Sequence, residues 1–321
     1  MAVTLAQAKE SVQDKLSPLV IDEFRKSGFL LDHIPFDDCV ACPGGGSTMT
    51  YSYTRVVTQP TAQFRELNSE YTPQEAAKKR YSVDLKIFGG SFQIDRVIAD
   101  MGGAANEVGF QMAQKVKAAA ALFTDTVING DSEQDSKSFD GLEKALTGSS
   151  TELIPAAAID LSTSAAVDTN YMYFLDALDE FLMGLDGTPD FIGGNTKPIA
   201  KMRACARPST GYQASLNEFG QQVERYGSIP LVDLGAKPGT NDPIVPVDSS
   251  ENAGCTSLYA VRFGLDGFHA VSPAGMLPVR QWLPDYRTSG AVKTGEVEMV
   301  AAVALKSTKA AGVMRKIKVS A

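Results

Sequence analysis

Two histidines, His33 and His269, and four cysteines, Cys39, Cys42, Cys205 and Cys255, are the natural starting points for nucleophilic, redox or metal chemistry. A Ser-His-Asp or Cys-His arrangement would have to recruit one of the two histidines. Neither belongs to a local motif, and no Gly-x-Ser-x-Gly turn occurs, so a structural role is the reading for both. Cys39-Val40-Ala41-Cys42 is a Cys-x-x-Cys pair. A zinc site needs a second such pair or two histidines, and Cys205 and Cys255 stand far apart and alone. A thioredoxin-like role wants a βαβ context, which the pattern does not supply. Two small, partly buried thiols are the better reading. A soluble α/β enzyme using Cys39 and Cys42 is kept as the rival from another class.

Two glycine-rich stretches are candidates for phosphate binding. Gly44-Gly45-Gly46-Ser47 lacks the Lys of a P-loop and opens a strand rather than a helix. Gly193-Gly194-Asn195 sits between an expected strand and helix, a geometry that can hold phosphate. A turn with Asn195 or Thr196 capping the helix explains it as fully. No His-Glu-x-x-His, Gly-x-Gly-x-x-Gly or EF-hand pattern is present. The residues therefore argue for no catalysis, no metal and no cofactor.

The elements that would position any site come from composition and periodicity. The chain has 321 residues, 44% hydrophobic and 21% charged, with a net charge of −8. That composition is globular, with enough apolar material for one large domain or two. The acidic balance disfavours tight non-specific DNA binding, which relies on Lys and Arg neutralising phosphates. The start has no basic region followed by an apolar one, so no signal peptide is read. The longest apolar helical run, near Ala118 to Phe123, is far short of a membrane span. Four cysteines in so long a chain fit a reducing compartment rather than a disulfide scaffold.

Leu5, Val12, Leu16, Leu19 and Phe24 recur at roughly helical spacing, interrupted by Pro18. Two readings stay open: an N-terminal arm that docks elsewhere, or an ordinary first helix of the core. After Pro43-Gly44-Gly45-Gly46, Met49, Tyr51 and Tyr53 alternate with polar residues, the period of a strand. A matching strand returns at Tyr81, Val83, Leu85 and Ile87. The apolar phase then changes, with Phe92 and Ile94 inward, and the change is assigned to a bulge or bend at Gly89-Gly90. The strands are joined by residues 58–80, far longer than the 2–5 residues usual in a hairpin. This excursion carries Arg65, Glu66, Glu70, Glu75, Lys78, Lys79 and Arg80. Both signs of charge suit ion pairing with a neighbouring subunit; a solvated loop is the alternative.

Residues 104–129 give the strongest helical stripe, with Val108, Met112, Val116, Ala119, Phe123 and Val127 on one face. The run Ala118–Ala121 has high helix propensity, and Asn129-Gly130 is read as a C-terminal cap. Residues 148–164, rich in Ser, Thr and Ala, read as a linker or domain crossing. A helix is expected from Asp168 to near Gly184, then a short strand at Phe191-Ile192 and a short helix ending before Pro208. Beyond residue 211 the chain reads mostly as strands and turns: 223–232, 244–247, 258–263 and 269–271, then alternating residues over 297–305 and a last segment at 313–319.

In this order the chain resembles the major capsid proteins of tailed bacteriophages, the Hong Kong 97-type fold. The resemblance is carried by Asp32-His33-Ile34-Pro35-Phe36 before the hairpin. It continues with Ile128-Asn129-Gly130-Asp131 followed by Phe139-Asp140-Gly141-Leu142 after the long helix. Further matches are Val223-Glu224-Arg225-Tyr226-Gly227-Ser228-Ile229-Pro230-Leu231-Val232 and the closing Lys306-Ser307-Thr308-Lys309-Ala310-Ala311-Gly312-Val313. It implies an α+β fold divided into an N-terminal arm (1–46), an extended hairpin loop with peripheral-domain strands (47–97), a spine helix (98–150), an axial domain (151–290) and closing strands (291–321). It implies pentamers and hexamers closing into an icosahedral shell around double-stranded DNA, in a virion assembled in a bacterial cytoplasm. Many copies of itself would be the main partner, with scaffolding, portal and decoration proteins as others, and no membrane. The arm before the hairpin is short for a member that carries its own scaffolding segment. Lys78 and Lys79 lie where some members form Lys–Asn crosslinks, but no acceptor can be matched, so no crosslink is expected. An encapsulin-type nanocompartment shell is the alternative on the same fold.

Overall fold

The computed structural model of the chain describes residues 28–40, 45–101, 107–206, 212–216, 222–249, 253–273 and 279–320. The N-terminal stripe from Leu5 to Phe24, together with Cys42 and Gly44, lies outside the described residues. The chain enters through α1 (Phe29–His33) and β1 (Phe36–Cys39), then builds the hairpin β2 (Thr50–Thr58) and β3 (Ala77–Asp84). Next come β4 (Lys86–Asp95), α2 (Arg96–Asp100), the long helix α3 (Glu107–Asn129) and α4 (Leu142–Leu146). The middle holds β5 (Glu152–Leu153), β6 (Ile159–Asp160), α5 (Ser164–Met183), β7 (Phe191–Gly194) and α6 (Thr196–Ala206). The remainder is β8 (Tyr212–Leu216), β9 (Gln222–Tyr226), β10 (Ile229–Asp233), β11 (Cys255–Val261), β12 (Phe268–Pro273), β13 (Val279–Trp282), β14 (Val292–Leu305) and β15 (Ala311–Lys318).

Two sheets organise these elements. In the first, β14 is the trunk: its N-terminal part lies between β4 and β13, and its C-terminal end pairs with β12, which takes β1 in parallel. The second has the order β5-β15-β11-β7-β10-β9-β8, with β6 also on β15. Residues 151–290 are thus shared between the sheets, because β12 and β13 join β14 while β15 returns to complete the second sheet. The stretch read as a linker carries β5 and β6, two-residue strands parallel to β15. The 223–232 segment is a hairpin, β9 and β10, turning at Gly227 with φ +59°. Residues 244–247 are not a strand; Ile244 and Val245 are simply buried in the core.

α3 runs for 23 residues, about 35 Å at 1.5 Å per residue. Met112, Ala119, Phe123 and Val127 fall seven, four and four apart, so their side chains stack along one buried face. The upper part of that face closes on Phe92, Ile94 and Val297, and the lower part on Phe139 and Leu142. The helix ends at Gly130, as read, but by close backbone approach rather than by a left-handed cap. A Cβ at Gly130 would lie 2.2 Å from the Phe139 carbonyl oxygen. The Gly141 N–H donates to the Gly130 carbonyl at 2.8 Å, which seats the returning loop on the helix end. Two glycines are needed there because a side chain would wedge the two backbones apart.

The phase change in the strand after the hairpin lies earlier than Gly89-Gly90. Tyr81, Val83 and Leu85 face inward in the hairpin; in β4 the inward set is Phe88, Phe92 and Ile94, and Ile87 is exposed. The switch is at Leu85, where pairing passes from β2 to β14: the Leu85 N–H donates to the Met49 carbonyl at 2.8 Å. β4 keeps one register against β14 from Lys86 to Asp95. The bulge expected at Gly89 and Gly90 is therefore absent. Gly89 answers a different need, since a Cβ there would meet the Val297 carbonyl oxygen at 2.0 Å.

A bulge does occur elsewhere. Between Thr256 and Leu258 the β11–β15 register slips, so Ser257 opposes both Arg315 and Lys316, and Lys316 adopts φ +57°. The bulge turns Arg315 onto two carboxylates from other elements. Its guanidinium donates to Glu143 of α4 at 2.6 Å and to Glu152 of β5, and the Tyr259 hydroxyl donates to Glu143 at 2.5 Å. This joint ties α4 at the end of the long helix to the second sheet.

Candidate functional site: a hairpin arm and its root

β2 and β3 pair antiparallel from Thr50↔Asp84 to Thr58↔Ala77, confirming the expected hairpin. The alternation of Tyr51, Tyr53 and Arg55 puts all three on the face turned to the body of the subunit. There the Tyr51 hydroxyl donates to Asp37 at 2.6 Å and the Tyr53 hydroxyl to the Leu305 carbonyl at 3.0 Å. Arg55 donates to the Lys306 carbonyl at 2.8 Å and to the Leu305 carbonyl, and its guanidinium lies 4.5 Å from the Tyr81 ring centre. A cavity of about 300 Å³ lies under this root, lined by Tyr53, Arg55, Tyr81, Leu142, Phe268 and Leu305. Strand propensity and three polar anchors hold the root; each hydrogen bond is worth about 1 kcal/mol net.

His269 of β12 lies beneath the root with no solvent exposure. The Tyr51 ring meets it edge-on at 5.7 Å and the Asp37 carboxylate is 3.9 Å from Nε2, beyond hydrogen-bond reach. No hydrogen bond of ordinary geometry reaches either ring nitrogen among the described residues, and the Gly264 backbone is the nearest polar support to the charged form. Burial, with Lys306 nearby, pushes its pKa down to about 4. Burial raises the Asp37 carboxyl, but the Tyr51 hydrogen bond and Lys306 outweigh it and hold the group below its usual value.

Beyond the root the arm leaves the subunit. Every residue from 56 to 80 is exposed. From 59 to 76 the two limbs are linked by side chains rather than by a ladder: the Thr61 N–H donates to Gln74 at 2.8 Å and Gln63 donates to the Thr72 carbonyl. The end turns at Asn68, with φ +68°, and Arg65 donates to the Ser69 carbonyl at 3.1 Å while facing the Tyr71 ring. Arg65, Glu66, Glu70 and Glu75 thus lie on the tip. Lys78, Lys79 and Arg80 are instead on the β3 shaft, opposite Val56, Arg55 and Thr54. Arg80 donates to Ser52 at 2.9 Å and Lys79 sits over the Tyr81 ring. The seven residues are therefore two groups, a mixed-charge tip and a basic shaft. Sequence reading missed the tip's apolar side chains: Phe64 is fully exposed and Leu67 is 90% exposed, with Tyr71 beside Arg65.

Cys39 ends β1 beside the root of the arm, facing a cavity it shares with Tyr51 and Arg80, while Cys205 of α6 and Cys255 of β11 belong to the second sheet and its helices. Cys39, Cys205 and Cys255 are buried. Burial and the Asp37 charge raise the Cys39 thiol, and burial pushes Cys205 up to about 11, both away from the reactive thiolate. No helix among the described residues is long and apolar enough to cross a membrane.

No protein-family model and no curated protein sequence matches the chain. Solved structures do. An encapsulin from Synechococcus elongatus PCC 7942, in a holo-SrpI complex, is similar over 100% of this chain and 98% of its own, with TM-score 0.66 and 14% identity. The capsid of the native GTA particle matches over 95% of each chain, with TM-score 0.58 and 12% identity. The capsid of Myoviridae phage XM1 matches over 98% of this chain and 99% of its own, with TM-score 0.58 and 13% identity. The chain has the α+β, Hong Kong 97-type fold shared by phage capsids and an encapsulin shell.

Proposed function

We propose that the chain is a shell subunit, the major capsid protein of a tailed bacteriophage. It self-assembles as pentamers and hexamers into an icosahedral shell enclosing double-stranded DNA. The observation that carries this reading is the arm: a root fixed by Tyr51, Tyr53 and Arg55 projects residues 56–80 clear of the subunit. Exposed Phe64, Leu67 and Tyr71 at its end gain nothing in a monomer and gain burial on a neighbour. Covering them with another copy also shields the hairpin edges from uncontrolled pairing. In this reading Arg65, Glu66, Glu70 and Glu75 make contacts at the tip, and Lys78, Lys79 and Arg80 make contacts along the shaft. The full-length likeness to capsids supports the assembly mode, since heterologous contacts between copies close rings. The second sheet with α5 and α6 would be the axial unit facing ring centres, and α3 the spine. Scaffolding, portal and decoration proteins are the further partners, the shell is made in a bacterial cytoplasm, and no membrane is involved.

A nanocompartment shell is the second reading, favoured by the TM-score of 0.66 to the encapsulin against 0.58 for the two capsids quoted. Native particles purified from the producing cell separate the two by content. Nuclease-protected double-stranded DNA supports the capsid; a protein cargo without DNA supports the nanocompartment.

A further inference from the structure

α5 and α6 cover one face of the second sheet and pack against each other, α5 over β6 and β15 and α6 over β10. Their charges are segregated by sign. α5 carries Asp168, Asp176, Asp179 and Glu180 and no basic residue; α6 carries Lys197, Lys201 and Arg203 and no acidic residue. On α5 the sequence steps 168, 172, 176, 180 and 183 form one helical stripe. Asp168, Asp176, Asp179 and Glu180 are exposed on it, interleaved with exposed Met172, Tyr173 and Met183. Val167, Phe174, Leu178 and Phe181 occupy the opposite, buried side.

Within one subunit this arrangement is unfavourable twice over. Asp176 stands three and four residues from Asp179 and Glu180, spacings at which like charges repel. Asp179 and Glu180 also lie in the last turns of α5, beside the negative end of the helix dipole, and Lys197 lies in the first turn of α6, beside the positive end. Among the described residues none of the four acids is in an ion pair; Asp179 only accepts the Tyr226 hydroxyl at 2.8 Å. A charge pattern that costs stability locally, with complementary patterns on two neighbouring helices, marks a surface shaped for something outside the subunit.

We infer that the acidic Met- and Tyr-bearing stripe of α5 is a docking face for the exposed Lys197 end of α6 on the next copy of this chain. The inference rests on the shell reading and names which two faces meet in its rings. One copy offers α5 and its neighbour offers α6, so the contact is heterologous and can propagate around a ring. Lys197 at the positive end of α6 then faces the acidic stripe, and the apolar residues between the acids are covered.

The test uses the full-length chain and two charge reversals that leave Asp179, Lys201 and Arg203 untouched, because those groups have partners inside the subunit. The first is Asp168→Lys with Asp176→Lys and Glu180→Lys; the second is Lys197→Glu with Ala200→Glu. Circular dichroism and thermal melting check that each folds, and light scattering with electron microscopy reads assembly. Each reversal alone raises the critical concentration for assembly at least about tenfold, and both in one chain restore it toward wild type. Assembly of either single reversal like wild type, or failure of the doubly reversed, folded chain to recover, overturns the inference while the wild-type shell stands. Wild-type chain that never assembles overturns the shell reading and this inference with it.

Discussion

Acid should loosen the root of the arm through His269. The ring is enclosed by β12, β1 and β2, and the charged groups around it are Asp37, Lys306 and Asp266. Burial and Lys306 lower its pKa from 6.5 to about 4, with Asp37, the Gly264 backbone and Asp266 only partly offsetting them. A lowered pKa on a base means that the folded chain refuses a proton the unfolded chain accepts. The stability that neutral His269 provides is complete above about pH 6.5 and drains away as pH falls toward 4. The whole shift corresponds to about 3 kcal/mol, and about 2 kcal/mol of it is lost by pH 5. Asp37, held below its usual value, loses its own contribution only under about pH 4, so the two windows separate. Urea unfolding of the free full-length chain should show the drop between pH 7.5 and pH 5, and His269→Leu should remove about 2 kcal/mol of it. An NMR titration placing folded His269 near 6.5, or a His269→Leu chain as acid-sensitive as wild type, would refute the reasoning.

Other outcomes follow from single contacts. Gly89→Val puts a Cβ against the Val297 carbonyl and the Glu298 Cα, which are backbone and cannot yield, so soluble folded protein should be lost; Gly90→Ala meets only the flexible Lys115 side chain and should cost under about 1 kcal/mol. Arg315→Met leaves Glu143 and Glu152 facing each other and should cost about 2–4 kcal/mol, less than a fully buried pair because Glu143 is partly exposed. Adding Glu143→Gln and Glu152→Gln should recover most of that loss in chemical denaturation. Replacing residues 60–75 by Gly-Gly should leave melting of the subunit within a few degrees of wild type and abolish particles by electron microscopy. Normal particles from that deletion would remove the arm's role.

The hairpin was legible because Tyr51 and Tyr53 alternate with polar residues and are answered by Tyr81 and Val83. The turn back into the body was misplaced because Ile87 continues the apolar alternation while its side chain is exposed. Two glycines invite a bulge; here Gly89 serves a close approach of straight strands, which composition alone cannot distinguish. Strands of two residues, β5 and β6, have no period to read, so they passed for a linker. The β9–β10 turn carries a single Gly227, too little to place the turn within 223–232. Phe64, Leu67 and Tyr71 were hidden by their polar neighbours; three large apolar residues within eight positions of a loop were the available signal. The Arg315 cluster was out of reach, because a left-handed Lys316 and partners more than 160 residues away leave no local trace. That His269 is buried without a hydrogen bond of ordinary geometry is a property of packing alone, with no trace in the local sequence.

In the proposed shell each copy lays its arm on a neighbour. Cryo-electron microscopy of the purified full-length chain tests it most directly. The expected result is closed icosahedral particles with five- and six-membered rings, in which residues 56–80 lie against an adjacent subunit and Phe64 and Leu67 are covered. Monodisperse single chains at every concentration, or particles whose residues 56–80 touch only their own subunit, would contradict it.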